Sequence, residues 1–188
     1  MLDVFSLDYP RLPNPRYLYN VLAKGVSGTT AAQVGVANRA WLTAIEIPAN
    51  CEVDQLNIEV TTNGGVGTSL RLALFKDAGF KPDAASLIAE SGNIAADGGA
   101  GIRTWNLAQP VLVQPGYVWA ALLTADTTIQ FRRMAILTST NEASGERVKG
   151  TRFDNGSFGN FTDPCPTTTG DSIANFICQL RVSRWFGR

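Results

Sequence analysis

A chain of 188 residues, 45% hydrophobic and 17% charged, has the length of one ordinary domain and enough apolar content for a sizeable core. Its formal net charge of +0 argues against a nucleic-acid partner, because neutralising phosphates takes a basic excess that this chain lacks. It has no histidine, which removes Ser-His-Asp and Cys-His catalysis, histidine metal sites and the commonest acid–base residue. No catalytic residue, metal or cofactor is expected, and the chain is not expected to be an enzyme.

The N-terminal stretch, "MLDVFSLDYPRLPNPRYLYN", has no basic n-region followed by an apolar h-region, so a protein made and used without secretion is expected. No apolar run approaches the ~20 residues that span a bilayer, and no membrane insertion is expected. The stretch is too apolar for a solvated tail and too interrupted by Pro10, Pro13 and Pro15 for a helix. Residues 1–20 are therefore predicted to form an extended anchoring arm. Ordering backbone costs about 1–2 kcal/mol per residue, so such an arm stays in place only when most of its side chains are covered. The residues expected to bind a partner are Leu2, Val4, Phe5, Leu7, Tyr9, Leu12, Tyr17 and Tyr19. A single domain of this size has little spare surface, so the expected partner is another subunit, a sister copy or a host structure. β-Augmentation of a neighbouring sheet is one way to hold the arm. The alternative is that residues 2–9 form an edge strand of their own domain.

Residues 21–188 read as the domain proper. "GVSGTTAAQVG" is small and polar and is predicted to be a loop. "RAWLTAIEIP" then alternates Trp41, Thr43, Ile45 and Ile47 against Leu42, Ala44 and Glu46. In "CEVDQLNIEVTT", Leu56, Ile58 and Val60 share one face, with Asn57, Glu59 and Thr61 on the other; this is the period of a half-buried strand. "SLRLALFKD" follows, with Ala73 and Phe75 making its second face apolar too. "SLIAESGNIAA" reads as a strand broken at Gly92. "IRTWNL" alternates until Gln109-Pro110 breaks it. "YVWAALLTA" is apolar throughout and expected to be central, and "SIANFICQLRVSRWF" closes the chain as a strand. About eight or nine strands and no long helix point to an all-β fold, an antiparallel β-sandwich with jelly-roll connections, its last strand returning to pair near the first.

Residues 141–171 are polar and glycine-rich and read as a long excursion from this domain. Arg152, Phe153, Phe158 and Phe161 make it a candidate contact surface; an Ω-like flap over its own sandwich is the alternative. Trp105, between Thr104 and Asn106, is a candidate glycan contact. Asp77 and Asp83 flank "KDAGFKPD", which reads as a solvated hairpin tip rather than a calcium loop. Glu46, Glu52, Asp54 and Glu59 read as surface charge, since no pair of them shows the spacing of a glycosidase. Arg132, Arg133, Arg181, Arg184 and Arg188 are scattered and suit carboxylates at subunit interfaces. Cys51, Cys165 and Cys178 are odd in number and have no short spacing, so reduced thiols are expected.

Three stretches, "ANRAWLTAIEIPANCEVDQLNIEVTT", "SLRLALFKDAGFKPDAASLIAESG" and "LVQPGYVWAALLTA", carry a resemblance. Residues 39–133, about half the chain, resemble β-sandwich domains of structural proteins in tailed bacteriophages, which occur in fibres, spikes and decoration proteins. Residues 70–75 stand where that family has its L-R-L-x-L-F/Y strand. Residues 76–83 match its loop with Asp, Gly and Pro, and residues 112–119 its L-x-P-G-x-Y/V-W strand. The resemblance implies a virion structural protein assembled in the host cytoplasm. Its partners would be other virion structural proteins and further copies of itself, with a trimer favoured. In some relatives it implies binding of a host glycan.

Overall fold

A computed structural model describes residues 16–19, 28–79, 81–136, 151–170 and 175–186. In chain order its strands are β1 (Arg16–Tyr19), β2 (Gly28–Val34), β3 (Arg39–Ile47), β4 (Cys51–Thr62), β5 (Ser69–Lys76), β6 (Leu87–Glu90) and β7 (Ile94–Ala95). Then come β8 (Gly101–Val113), β9 (Gly116–Thr124), β10 (Gln130–Ile136), β11 (Thr151–Asp154), β12 (Thr169–Gly170), β13 (Asn175–Phe176) and β14 (Cys178–Trp185). No helix occurs among the described residues.

The strands form two antiparallel sheets packed as a β-sandwich. In the first, β4 lies between β8 and β14, β14 also pairs β1, and β10 joins the far end of β4 and carries β2 and β13. In the second the order is β12-β11-β3-β9-β5, with β6 and β7 on the outer edge of β5. The pairings nest: β3 with β9, β4 with β8, and β5 with β6 and β7. A long ribbon has thus been folded over so that its successive segments fall in opposite sheets. The described residues show this nesting, and the expected jelly roll goes no further than that.

The inward residues obey the period of two and fill the space between the sheets. Ile45 and Ile47 of β3, Leu70, Leu72 and Leu74 of β5, and Val118, Ala120 and Leu122 of β9 face Leu56, Ile58 and Val60 of β4. Cys178, Leu180 and Val182 of β14 complete that layer. One break in the period has a structural cause. Val53 and Leu56 both point inward although two polar residues lie between them. Val53 pairs Val182 and Gln55 pairs Arg181, so Asp54 is the extra residue of a β-bulge. On the other side of β4 the register jumps from Val111 to Asn106, and Pro110 sits in that gap, where no ladder N–H is needed.

The second sheet is covered on its outer face as well. Ala40, Leu42, Ala73, Phe75, Trp119, Ala121 and Leu123 form a second core with Phe153, Phe161 and Cys165. The two apolar faces of β5 and β9 follow from this double burial. The covering segment is the flap after β11, residues 155–168, with Phe153 added from β11 at the side of the sheet, and hydrogen bonds hold it down. Arg71, itself buried, donates to Asn160 Oδ1 at 3.0 Å, and the Glu90 carboxylate accepts the Phe161 N–H at 2.9 Å. Asp163 accepts the Leu87 N–H at 2.9 Å. Asp83 accepts Thr168 Oγ1 at 2.6 Å, and Cys165 and Ala85 are joined through backbone.

Three expectations are corrected here. Of the excursion, residues 141–150 and 171 lie outside the described residues; residues 155–168 are the flap, and Phe153 of β11 and Phe161 of the flap are buried rather than offered to a partner. Asp77 and Asp83 are no solvated tip, since Asp77 accepts the Trp119 indole N–H at 2.8 Å and Asp83 anchors the flap. Residues 28–34 are a strand, not a loop. Their small polar side chains give no strand signal, and what makes them a strand is the unbroken register with β10, from Gln130↔Val34 to Ile136↔Gly28.

Candidate functional site

With the second sheet covered by the flap, the outer face of the first sheet is the broad polar surface of the sandwich. It is built in rows across the strands. Tyr17, Arg181, Gln55 and Asn106 stand side by side on β1, β14, β4 and β8. The next row is Gln179, Asn57 and Thr104, with the backbone of Tyr19 paired to Gln179. The alternation that sends Leu56, Ile58 and Val60 inward sends Gln55, Asn57 and Glu59 outward.

Hydrogen bonds run along this face in one direction. Thr104 Oγ1 donates to Asn57 Oδ1 at 2.8 Å, Asn57 Nδ2 to Gln55 Oε1 at 3.0 Å, and Gln55 Nε2 to Asn106 Oδ1 at 2.8 Å. Two arginine forks flank the amides. Arg132 grips Glu59 through Nε and Nη2 at 3.1 and 2.8 Å. Arg181 grips Asp54 through the same two nitrogens at 2.7 and 2.8 Å. The bulge is what brings Asp54 beside Arg181, by placing two consecutive side chains on one face. The hydrogen bond from Arg132 holds the Glu59 carboxyl below its ordinary range, outweighing burial. Asp54 in turn raises the Arg181 guanidinium. The charges beside the amides, Glu59 with Arg132 and Asp54 with Arg181, are thus paired locally, and what the amides offer a ligand is neutral hydrogen bonding.

At one end of the sandwich Asp126 closes the turn from β9 to β10. Burial pushes its carboxyl up, but the N–H groups of Ile129 and Thr128 and the hydroxyls of Thr128 and Thr68 outweigh this and hold it below the usual range. Burial drives the thiols the other way: Cys51 and Cys165 are pushed up to about 12, and Cys178 is raised as well. None of the three is poised as a nucleophile.

Of the residues singled out in the arm, Leu2, Val4, Phe5, Leu7, Tyr9 and Leu12 lie outside the described residues. Tyr17 is exposed on β1 opposite Arg181, and the backbone of Tyr19 pairs Gln179. Phe158 is half-buried against the second core, and the Arg152 guanidinium lies 5.7 Å from the ring centroid of Trp41. Trp105 is 8% exposed and packs in the inter-sheet core, because odd-numbered positions of β8 face inward there. It offers no platform for a sugar. Its neighbours Thr104 and Asn106 are the exposed pair, and they went unnoticed beside the aromatic ring. The period of two around Asn57 and Glu59 could have pointed to them.

The first sheet also has two contrasting edges, because β1-β14-β4-β8 is one continuous order. At one edge stands β1, only four residues long. At the other stands β8, long and paired among the described residues only to β4. Ile102 and Leu112 of β8 are large hydrophobics left 61% and 60% exposed. Compared with known proteins, the chain matches no family model, and no curated protein is significantly similar to it.

Proposed function

We propose that this chain is a non-enzymatic structural protein of a tailed-bacteriophage virion, of the decoration, spike or connector type, docked on the particle through residues 1–20. The observation that carries the reading is β1. Its four residues, the last described part of that segment, form an edge strand on β14 with Arg16↔Val182 at its start. Arg16, where that segment meets the described residues, thus stands at a sheet edge, a place from which an extended anchor could depart without disturbing the core. The resemblance of residues 39–133 to phage β-sandwich domains supplies the virion context. The test is quantitative mass spectrometry of phage particles purified from the host that carries this gene. The chain is expected at fixed stoichiometry to a major head or tail protein, and its absence from intact particles overturns the reading.

A second reading, a host-glycan-binding module, is favoured by one observation, the amide and hydroxyl ladder in which the exposed Thr104 and Asn106 are held by the half-buried Gln55 and the buried Asn57. Its charges are already paired, which suits a neutral polyol. Calorimetric titration with host surface polysaccharide tests it: saturable binding that disappears in Asn106→Ala supports the module, and no heat above dilution rules it out.

A further inference from the structure

The two halves of β8 differ in how they meet solvent. Edge strands are normally blunted by charge, proline or a bulge, because their unpaired backbone groups are a template for another chain. Residues 107–110 carry such a device: the register jump and Pro110. Residues 101–106 do not. Their outward side chains are Ile102, Thr104 and Asn106, all exposed. Arg103, the charge in this stretch, is turned back onto the carbonyls of Ala95 and Gly99. A continuous apolar-and-neutral edge is left where a guarded one is the rule.

We propose that residues 2–9 of one copy add antiparallel to residues 101–106 of β8 in a second copy, continuing the first sheet from one subunit into the next. This rests on the anchoring-arm reading and names what the arm grips. The segment has the composition for it, with Leu2, Val4, Phe5 and Leu7 ahead of the prolines. Side chains from one of its faces would cover Ile102.

Reach argues against the chain's own β8. A strand antiparallel to β8 runs in the direction of β1 and ends at the row of Gly101. The row of Arg16 lies back towards Val111, through Val182 and Val53. The return covers about 20 Å along the strands and about 19 Å across them, and it must also pass round the face. The link from Tyr9 to Arg16 carries three prolines, and at ~3.1 Å per residue it spans about 22 Å. A neighbour's arm has no such return to make. Because the donor edge (β1) and the acceptor edge (β8) are different, the contact is heterologous and closes into a ring or extends as a filament.

The test uses the full chain with a photoreactive benzoylphenylalanine in place of Phe5. Heavy-isotope and light copies are mixed, irradiated and mapped by mass spectrometry. Heavy–light cross-links into residues 101–106 are expected, and they should be lost in Ile102→Lys with the circular dichroism spectrum unchanged. Cross-links confined to single chains, heavy–light cross-links elsewhere, or no heavy–light product each overturn the assignment. The two failures are separable. Particles that contain the chain while the cross-links miss β8 leave the virion reading intact and remove only this acceptor edge. Cross-links into β8 with no chain in particles do the reverse.

Discussion

Phe75 on β5 meets Phe161 of the flap edge to face, with ring centroids 6.1 Å apart and planes at 79°. Phe153 meets the same ring from β11 at 6.4 Å and 89°. The flap is thus a third layer of the core, joined to the outer face of the second sheet by aromatic packing and a line of carboxylate and arginine hydrogen bonds. Truncating Phe161 removes the central contact and leaves a cavity beneath a segment that cannot collapse freely. Phe161→Ala is expected to lower stability by about 3–5 kcal/mol in urea unfolding. A change under about 1 kcal/mol would show that the Phe161 contact contributes little to the folded sandwich.

Gly35 marks a close approach at the junction of β2 and the turn after β9. Its N–H donates to the Ile129 carbonyl at 2.7 Å. A Cβ there would lie 2.7 Å from Thr124 Oγ1, 3.1 Å from the Asp126 carbonyl and 3.2 Å from the Ile129 carbonyl. Two of these three atoms are backbone, so the turn itself must shift. Gly35→Ala is expected to cost about 1–3 kcal/mol. At Gly92 a Cβ would meet nothing within 4 Å, and Gly92→Ala is expected to stay within about 0.5 kcal/mol of the parent. Thermal melts of the pair decide it: equal melting temperatures would refute the close-approach account.

Acid sensitivity should come from two carboxyls. Glu59 is held below its ordinary 4.5 by Arg132, and Asp126 below 3.8 by its turn hydrogen bonds, which outweigh burial. In both cases the unfolded chain binds protons more readily than the folded one as pH falls. The stability they contribute is therefore complete above the unfolded values and disappears as pH drops through the folded ones. Unfolding midpoints should be flat near neutral pH and fall below about pH 4.5. Asp126→Asn should flatten that decline and lower the neutral-pH midpoint. An acid limb unchanged in this variant would mean that the decline arises elsewhere.

How much of this was legible in the sequence depends on the range of the interaction. Strands such as β3 and β14 are written locally as alternation and β9 as an unbroken apolar run, and the apolar second face of β5 is consistent with a cover. What supplies the cover could not be read, because Arg71 and Asn160, or Glu90 and Phe161, are far apart in sequence and no periodicity links them. β2 was missed for a related reason: its strand character comes from pairing with β10, not from its own side chains. The bulge at Asp54 was written plainly, as a slip of phase between Val53 and Leu56, but its consequence needed the neighbour. Only β14 shows that Asp54 meets Arg181. Trp105 misled because its residue type drew attention that the facing of its position did not support.

The three thiols report on these layers separately. Cys51 and Cys178 lie in the core between the sheets, Cys165 on the flap facing the second core, and all three are free. Burial holds them protonated well above neutral pH, so a disulfide reagent such as dithionitrobenzoate should find almost no thiolate in the folded protein at pH 8. All three should react at once in denaturant. Under native conditions Cys165 should react first, because opening the flap exposes it while the inter-sheet core stays closed. Phe161→Ala, which loosens the flap, should speed that reaction more than it speeds labelling of Cys51 and Cys178, which follows the loss of global stability. Peptide mapping of the first labelled site is the measurement. Labelling of Cys51 or Cys178 ahead of Cys165 would mean that the two sheets separate before the flap lifts, and that the flap is the more stable layer.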